Sequence, residues 1–205
     1  MRLSCRTNCF VEENDVTSLM KNLWVQYTWD LKKFHVDLLK PQGYDFRTGV
    51  RKDLKPVIKV VIASSVLDNG WQLLFRSFTV KMIERIGATL GSANTAYIIA
   101  EKDSEIVGIT GLAKEHWTRQ NFITGICVLP EHRVKGVEKY LLALSLIKLK
   151  EMDMHFAKAV TESGSLLDKK VYRSFGSVRR PEAEISTVLN FPIKEYGLKS
   201  DRIFI

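Results

Sequence analysis

The chain has 205 residues, of which 45% are hydrophobic and 26% are charged, as in a globular protein with one sizeable core. This composition excludes collagen-like, disulfide-rich and disordered chains, and no apolar run approaches the roughly 20 residues that span a bilayer. Three cysteines, an odd number in a chain of this size, predict reduced thiols. Because the N-terminus also lacks an apolar signal segment, we expect a cytoplasmic protein with no membrane partner.

The first ninety residues are predicted to be mostly helical. A short alternating segment at residues 2–9 predicts a first strand. Apolar residues then recur at three- and four-residue steps over residues 16–38, which predicts a long amphipathic helix. Pro56 fits the first turn of a second helix, and residues 71–86 keep helical spacing for a third.

The pattern changes to strands at about residue 95. Residues 96–100 and 106–112 flank a polar turn and predict a hairpin. A third strand is predicted over residues 121–128. An amphipathic helix follows from Gly136, and residues 156–161 are extended again.

The end of the chain contains one more helix and one more strand by prediction. Residues 165–168 have the form of a capping box that opens a helix ending before Gly176, and residues 185–189 predict a last strand. No repeat or linker divides the chain, so we expect one domain over 1–205. In that domain 1–94 supply the first strand and the N-terminal helices, and 95–205 supply the sheet core.

Positive charge is concentrated in one quarter of the chain. The net charge is +8, and residues 131–180 hold eleven Lys or Arg against six acids. This excess predicts an anionic ligand there, although a solvated basic surface would give the same count. No recognition helix, RNP motif or zinc finger supports a nucleic acid partner. The four histidines are scattered and no Cys-x-x-Cys occurs, so no metal is expected.

The junction after the third predicted strand carries the strongest chemical signal. The strand ends at Pro130, a loop with Arg133 and Lys135 follows, and a helix begins at Gly136. Backbone N–H groups and the positive end of the helix therefore converge with two cations, an arrangement that favours a diphosphate. A glycine at this point lets the backbone approach phosphate oxygens closely.

This junction resembles the signature of the GNAT superfamily of acyl-CoA-dependent N-acyltransferases. Residues 128–137 match its Val-x-Pro-x-x-Arg run followed by Arg/Gln-x-x-Gly-x-Gly/Ala, and residues 105–108 and 171–176 resemble its hairpin and its Leu-Tyr-x-x-x-Gly-Phe segment. The resemblance implies an α+β fold in α/β/α layers, with a mostly antiparallel central sheet flanked by helices. It also implies a V-shaped split between two central strands that holds the pantetheine arm of acetyl-CoA.

The resemblance further implies which residues form the site. Tyr172 matches the tyrosine that protonates the departing thiolate, so it is the expected catalytic residue. The expected cofactor-binding residues lie along the third strand, around the diphosphate, and at one position where the family often has asparagine: Ile126, Cys127, Val128, Arg133, Val134, Lys135, Gly136, Val137, Glu138, Lys139 and Ser165.

One position departs from the family pattern. The sixth signature residue, normally Gly or Ala, is Glu138. Its charge would repel a diphosphate unless the side chain turns outward or pairs with Lys135 or Lys139. A solvent-facing glutamate that favours the helix dipole is the simplest interpretation.

The resemblance therefore implies an N-acetyltransferase that moves an acetyl group from acetyl-CoA to a primary amine of a small molecule or a peptide. No Asp or Glu occurs in residues 121–128, so the general base is left open between Glu115, His116, Glu162 and water. The resemblance also implies that the acceptor lies by the N-terminal helices and residues 117–120. A non-catalytic acyl-CoA-binding sensor is the alternative, and a homodimer through sheet edges is a further expectation.

Overall fold

The computed structural model describes residues 24–65, 72–114 and 121–181. The strands in these ranges are β1 (Trp24–Asp30), β2 (Asp45–Thr48), β3 (Thr95–Lys102), β4 (Glu105–Ala113), β5 (Phe122–Val128), β6 (Phe156–Glu162) and β7 (Val178–Pro181). The α-helices are α1 (Leu54–Ser65), α2 (Gln72–Thr89) and α3 (Val137–Glu151). A short π-helical segment (Leu167–Val171) joins β6 to β7.

The strands form two sheets, in the orders β6-β1-β7 and β2-β3-β4-β5, and every paired neighbour is antiparallel. Side chains on β3 alternate between two cores, as the pleat of a strand requires. Ile98 and Ala100 belong to the core that α3 covers. Tyr97 and Ile99 belong to the core that α1 and α2 cover. The predicted mostly antiparallel sheet flanked by helices is thus confirmed.

The helix predicted over residues 16–38 is wrong from Trp24 onward, because Trp24–Asp30 is a strand. Val25, Tyr27 and Trp29 are at most 3% exposed and alternate with half-buried residues. These β-branched and aromatic side chains pack between neighbours on both sides, since β1 pairs with β6 and with β7. Cross-strand pairing therefore decides the structure of a segment whose apolar residues also fit helical spacing.

Most of the other predicted elements are confirmed. The hairpin, the strand that ends before Pro130, the helix after Gly136 and the two helices around residues 56 and 80 all form. Two strands, β2 and β7, were not predicted, and both are only four residues long. The strands predicted at residues 2–9 and 185–189 lie outside the described residues. Among those described, no helix is long and apolar enough to cross a membrane.

A split separates β5 from β6. Near its closed end the Asn121 N–H donates to the Lys158 carbonyl oxygen at 2.9 Å, and the Lys158 N–H donates to Asn121 Oδ1 at 3.0 Å. Beyond this point the two strands belong to different sheets in the described part of the chain. The backbone groups on the facing edges of β5 and β6 are therefore not paired with one another there, and the split opens towards the end of β5.

Candidate functional site

The loop between β5 and α3 is tightly curled. Its first residues, Pro130–His132, form a single 3₁₀ turn. Val134 has φ 61° and Gly136, which caps α3, has φ 87°. Left-handed residues in a loop turn backbone N–H groups inward, and α3 adds the unpaired N–H groups of its first turn. The loop has the backbone form of an anion site.

Arg133 holds this loop in place. Its Nε donates to the Val128 carbonyl oxygen at 3.1 Å, and one terminal nitrogen donates to the Ser64 carbonyl oxygen at 2.9 Å. The guanidinium group therefore joins the loop to the ends of β5 and α1. Arg133 was expected beside the diphosphate, but the structure commits its side chain to two backbone carbonyls.

A groove of about 440 Å³ lies between the start of α3 and the π-helical segment. Its lining combines backbone of the loop, two lysines and apolar side chains: Val134, Gly136, Glu138, Lys139, Leu166, Lys170 and Val171. Lys139 and Lys170 are exposed, as is the neighbouring Lys135. The groove is therefore open to solvent beside the loop where the diphosphate is expected, and Lys139 and Lys170 lie at its border.

Glu138 turns into the loop, so the expectation of a solvent-facing side chain is wrong. The residue is 4% exposed, and its Oε1 accepts a hydrogen bond from the Val134 N–H at 3.0 Å. Among the described residues it has no ion pair with Lys135 or Lys139, the partners that the sequence suggested. The carboxylate therefore occupies one backbone N–H of the curled loop, at a residue whose φ is left-handed.

The backbone of β5 presents some of its groups to the split. The Leu129 N–H donates to the Val107 carbonyl oxygen on β4 at 2.9 Å. Ladder hydrogen bonds alternate along a strand, so Cys127 also faces β4, whereas Ile126 and Val128 turn their backbone groups to the split. Arg133 already occupies the Val128 carbonyl. Both backbone groups of Ile126 and the N–H of Val128 remain facing the split.

Cys127 has the character of a structural thiol. Its side chain is buried, and its Sγ contacts the Thr124 carbonyl oxygen at 3.6 Å. Burial raises the pKa of the thiol, with smaller opposing effects from Ser64 and Arg133. A thiol held protonated is a poor nucleophile, so this arrangement does not favour covalent catalysis.

Tyr172 lies beside the split with its hydroxyl group unpaired. The side chain is fully buried, and the hydroxyl has no hydrogen-bond partner among the described residues. A Cβ atom at Gly125, which has φ 65°, would lie 3.4 Å from that oxygen. Burial and the Cys127 thiol raise the pKa of Tyr172, while the backbone amide of Ile126 opposes the shift. The phenol is therefore protonated at neutral pH.

Aromatic side chains fix the ring of Tyr172. Trp29 meets it edge-on with ring centroids 5.7 Å apart, Tyr27 lies at 5.7 Å and Phe122 at 6.2 Å. The Tyr172 N–H donates to the Leu167 carbonyl oxygen at 2.8 Å, the i to i+5 bond of the π-helical segment. These contacts hold the ring, and its hydroxyl lies next to Gly125 on β5.

Ser165 caps the π-helical segment. Its Oγ accepts the Asp168 N–H at 3.1 Å and lies 3.2 Å from the Thr161 hydroxyl oxygen. The predicted capping interaction is thus confirmed on the serine side. The resemblance also implied a cofactor contact for Ser165, but in this structure its hydroxyl is engaged by these two neighbours.

Sequence reasoning missed Asp168 as a centre of contacts. Its carboxylate accepts hydrogen bonds from the Tyr27 hydroxyl at 2.5 Å, the Gly164 N–H at 2.7 Å and Arg179 Nε at 3.0 Å. Burial acts to raise the pKa of Asp168, but Arg179, Gly164 and Tyr27 together hold it well below its usual range. The capping-box pattern was the only sequence signal at this position.

The candidate general bases are only partly described. Glu162 ends β6 and is half-buried. Glu115 and His116 lie outside the described residues, as do the acceptor-side residues 117–120. No cluster of three or more metal-ligating side chains occurs in the described ranges.

The comparisons with known proteins assign the family. The model of the acetyltransferase (GNAT) family matches residues 67–176, more than half of the chain. The chain belongs to the GNAT acetyltransferase family. The match includes the curled loop, the split and Tyr172. A comparison with curated proteins finds none that matches.

Solved structures similar to this GNAT chain share its fold at low identity. A functionally unknown conserved protein from Staphylococcus epidermidis has TM-score 0.54 and 15% identity, over 86% of this chain and 67% of that one. A Drosophila protein has TM-score 0.51 and 11% identity, over 82% of this chain and 54% of that one. The chain therefore spans about two thirds and about half of these relatives. At such identities the likeness shows the fold alone.

The site can be tested against acetyl-CoA, the co-substrate that the GNAT family uses. The split-facing backbone of Ile126 and Val128 and the unpaired Tyr172 hydroxyl fit a pantetheine arm and its thioester. The loop at Val134 and Gly136 fits a diphosphate once the Glu138 carboxylate leaves the Val134 N–H. The residues thus fit acetyl-CoA with one local rearrangement.

Proposed function

We propose that this GNAT chain is an N-acetyltransferase that transfers an acetyl group from acetyl-CoA to a primary amine of a small molecule or a peptide. The observation that carries the proposal is the buried hydroxyl of Tyr172 beside Gly125, which makes no well-formed hydrogen bond among the described residues and has only the backbone N–H of Ile126 close to it. Leaving a buried hydroxyl without a partner costs about 1–3 kcal/mol. An unsatisfied group of this kind needs an explanation, and a catalytic proton donor supplies one.

Direct transfer of the acetyl group from the thioester to the amine requires few catalytic groups from the protein. A bond forms between the amine nitrogen and the carbonyl carbon, the carbon–sulfur bond breaks, and the departing sulfur needs a proton. Tyr172 holds that proton on Oη, because its raised pKa keeps the phenol neutral. The amine loses a proton in turn, to Glu162, to Glu115 or His116, or to water, and Tyr172 is reprotonated before the next cycle.

The remaining residues bind the donor. Backbone groups of Ile126 and Val128 are available to pair with the amides of the pantetheine arm, as an added strand would. Lys139 and Lys170 border the groove and supply positive charge for its anionic end. This use accounts for the basic excess, so we propose no nucleic acid partner. We retain the expectations of a cytoplasmic location and of a homodimer through sheet edges.

A second candidate function is that of an acyl-CoA-binding protein without turnover. The specific observation in its favour is Glu138, whose carboxylate already accepts the Val134 N–H inside the loop. A sensor that releases its ligand readily would tolerate such a residue. The two candidates differ in whether the bound thioester is consumed when an amine is present.

Two measurements test the proposal in sequence. The first is the thermal midpoint with acetyl-CoA, with CoA and with ATP as control. A ligand held at one hundred times its Kd adds about 2.7 kcal/mol, which raises the midpoint of a domain of this size by roughly 5–11 °C. The second is thiol release from acetyl-CoA over a panel of primary amines.

The outcomes separate the candidates. A midpoint raised by acetyl-CoA and CoA but not by ATP, followed by amine-dependent thiol release, supports the N-acetyltransferase. Acetyl-CoA binding with no thiol release for any amine supports the sensor. No rise with acetyl-CoA or CoA contradicts both.

A further inference from the structure

We propose that Glu138 is an internal competitor for the donor's diphosphate, so that acetyl-CoA binds only when the Glu138 carboxylate gives up the Val134 N–H. The inference rests on the proposed function, since it concerns the donor of that reaction. According to this inference, the Glu138 side chain lowers the affinity for acetyl-CoA, and removing that side chain increases the affinity.

The first support is the position of the carboxylate. Glu138 is the second residue of α3, and it is nearly fully buried although it lines the groove. Its Oε1 lies 3.0 Å from the Val134 nitrogen. The carboxylate therefore stands at the floor of the groove, where a phosphate oxygen would meet the same N–H.

The second support is the backbone that receives it. Val134 adopts φ 61°, a left-handed conformation that a β-branched residue rarely takes. Gly136 adopts φ 87° one residue before α3. The loop thus has the curled backbone of an anion site, and the Glu138 carboxylate occupies part of that site.

The third support is the absence of a cation to hold Glu138. Its ion-pair partners would be Lys135 and Lys139, yet no described residue forms an ion pair with it, and both lysines are exposed. The carboxylate is held by the Val134 N–H and the positive end of α3. An incoming diphosphate carries more charge and meets the same lysines, so it can displace the side chain at a measurable cost in affinity.

The test compares two variants with a matched control. Glu138→Ala removes the carboxylate, and Glu138→Gln keeps the side-chain volume and an acceptor oxygen but removes the charge. Glu131→Gln changes the charge by the same amount at an exposed position of the preceding turn. Calorimetric titration of each protein uses CoA, pantetheine, which lacks the diphosphate, and inorganic pyrophosphate. The melting midpoint of each free protein shows that it is folded.

We expect Glu138→Ala to bind CoA and pyrophosphate roughly tenfold or more tightly than the unaltered protein, since a charge-assisted hydrogen bond no longer competes. Glu138→Gln is expected to give a smaller gain in the same direction. Pantetheine affinity should not change in either variant, and Glu131→Gln should leave all three affinities unchanged.

The inference and the proposed function fail in different ways. Equal CoA and pyrophosphate affinity in the unaltered protein and Glu138→Ala overturns the inference while leaving the donor site intact. An equal gain in Glu131→Gln also overturns it, since net charge alone would then explain the effect. Pyrophosphate binding gained in Glu138→Ala without any binding of CoA or pantetheine supports the competitor and contradicts the proposed donor. No binding of any ligand to any variant overturns both.

Discussion

The phenol of Tyr27 donates a hydrogen bond to the carboxylate of Asp168 at 2.5 Å, across 141 residues of sequence. Asp168 also accepts Nε of Arg179 on β7 and the N–H of Gly164 after β6. One buried carboxylate therefore joins β1, β7 and the π-helical segment that precedes Tyr172. The position of the expected proton donor, Tyr172, depends on these contacts, because the π-helical segment directly before it is held against the sheet through Asp168.

Asp168→Asn is expected to lower the free energy of unfolding by about 2–3 kcal/mol, because hydrogen bonds to a charged group are replaced by weaker ones. Urea denaturation measures this change. Asp103→Asn is the control, since Asp103 is exposed in the turn between β3 and β4, and it should change stability by less than about 0.5 kcal/mol. A loss for Asp168→Asn no larger than that of the control would contradict this role.

The pH dependence of stability follows from the same carboxylate. The folded-state pKa of Asp168 lies below its unfolded value of about 3.9, so the unfolded chain binds more protons between the two. The contribution of Asp168 is therefore complete above about pH 5 and is lost as the pH falls from there. Asp53, whose pKa is lowered chiefly by its hydrogen bond with Arg47, acts in the same direction.

Denaturation curves from pH 6 to pH 2.5 test this sign. We expect Asp168→Asn to lose less stability over that interval than the unaltered protein, while Asp103→Asn follows the unaltered curve. Parallel curves for Asp168→Asn and the unaltered protein would show that the carboxylate titrates normally in the folded state.

Tyr172→Phe should separate stability from activity. The substitution removes a buried hydroxyl that has no partner, so the free energy of unfolding is expected to stay the same or to rise by up to about 1–3 kcal/mol. Acetyl transfer is expected to slow by about 10²-fold or more, since the proton donor is gone. Tyr140→Phe, on the half-buried face of α3 against Phe46, is the control with unchanged rate. A less stable Tyr172→Phe with full activity would contradict both parts.

Local patterns were sufficient to predict the elements whose partners lie nearby in sequence. The β3–β4 hairpin, β5 and α3 follow one another with short connections, and their polar turns and apolar spacing identified each of them. The strand β1 was misread because its partners lie more than a hundred residues away on β6 and β7. The apolar residues of β1 fit both helical spacing and the alternation of a strand. Only the pairing with β6 and β7 decides between the two structures.

The candidate site also combines residues that a local sequence motif indicates with features that depend on the folded structure. The signature residues 128–137 and Tyr172 were proposed by resemblance, because each lies in a contiguous motif. The inward turn of Glu138 depends on the left-handed φ of Val134, which no sequence rule predicts for a valine. The lack of a partner for the Tyr172 hydroxyl depends on packing around it and is equally invisible in the sequence.

Gly125 is expected to be required for its conformation. A Gly125→Ala substitution places a side chain at φ 65°, which costs roughly 1–2 kcal/mol. Gly87→Ala is the matched control, because Gly87 lies inside α2 with nothing within 4 Å of a Cβ atom. It should stabilise the protein by about 0.5–1 kcal/mol. Urea denaturation that gave the same sign for both variants would contradict the assigned strain.

Arg133 and Lys139 are expected to respond in opposite ways, although the resemblance placed both beside the diphosphate. Arg133→Ala leaves the Val128 and Ser64 carbonyls without their donor, so it should lower the free energy of unfolding by about 1–2 kcal/mol. Lys139→Ala removes an exposed cation at the groove and should leave stability unchanged. It should weaken CoA binding and reduce the dependence of that binding on salt, since the contact is electrostatic.

Urea denaturation measures the loss of stability, and titration with CoA at two ionic strengths measures the change in binding. If Arg133→Ala weakened CoA binding with no loss of stability, its guanidinium group would contact the donor directly, and the backbone-holding role would be wrong.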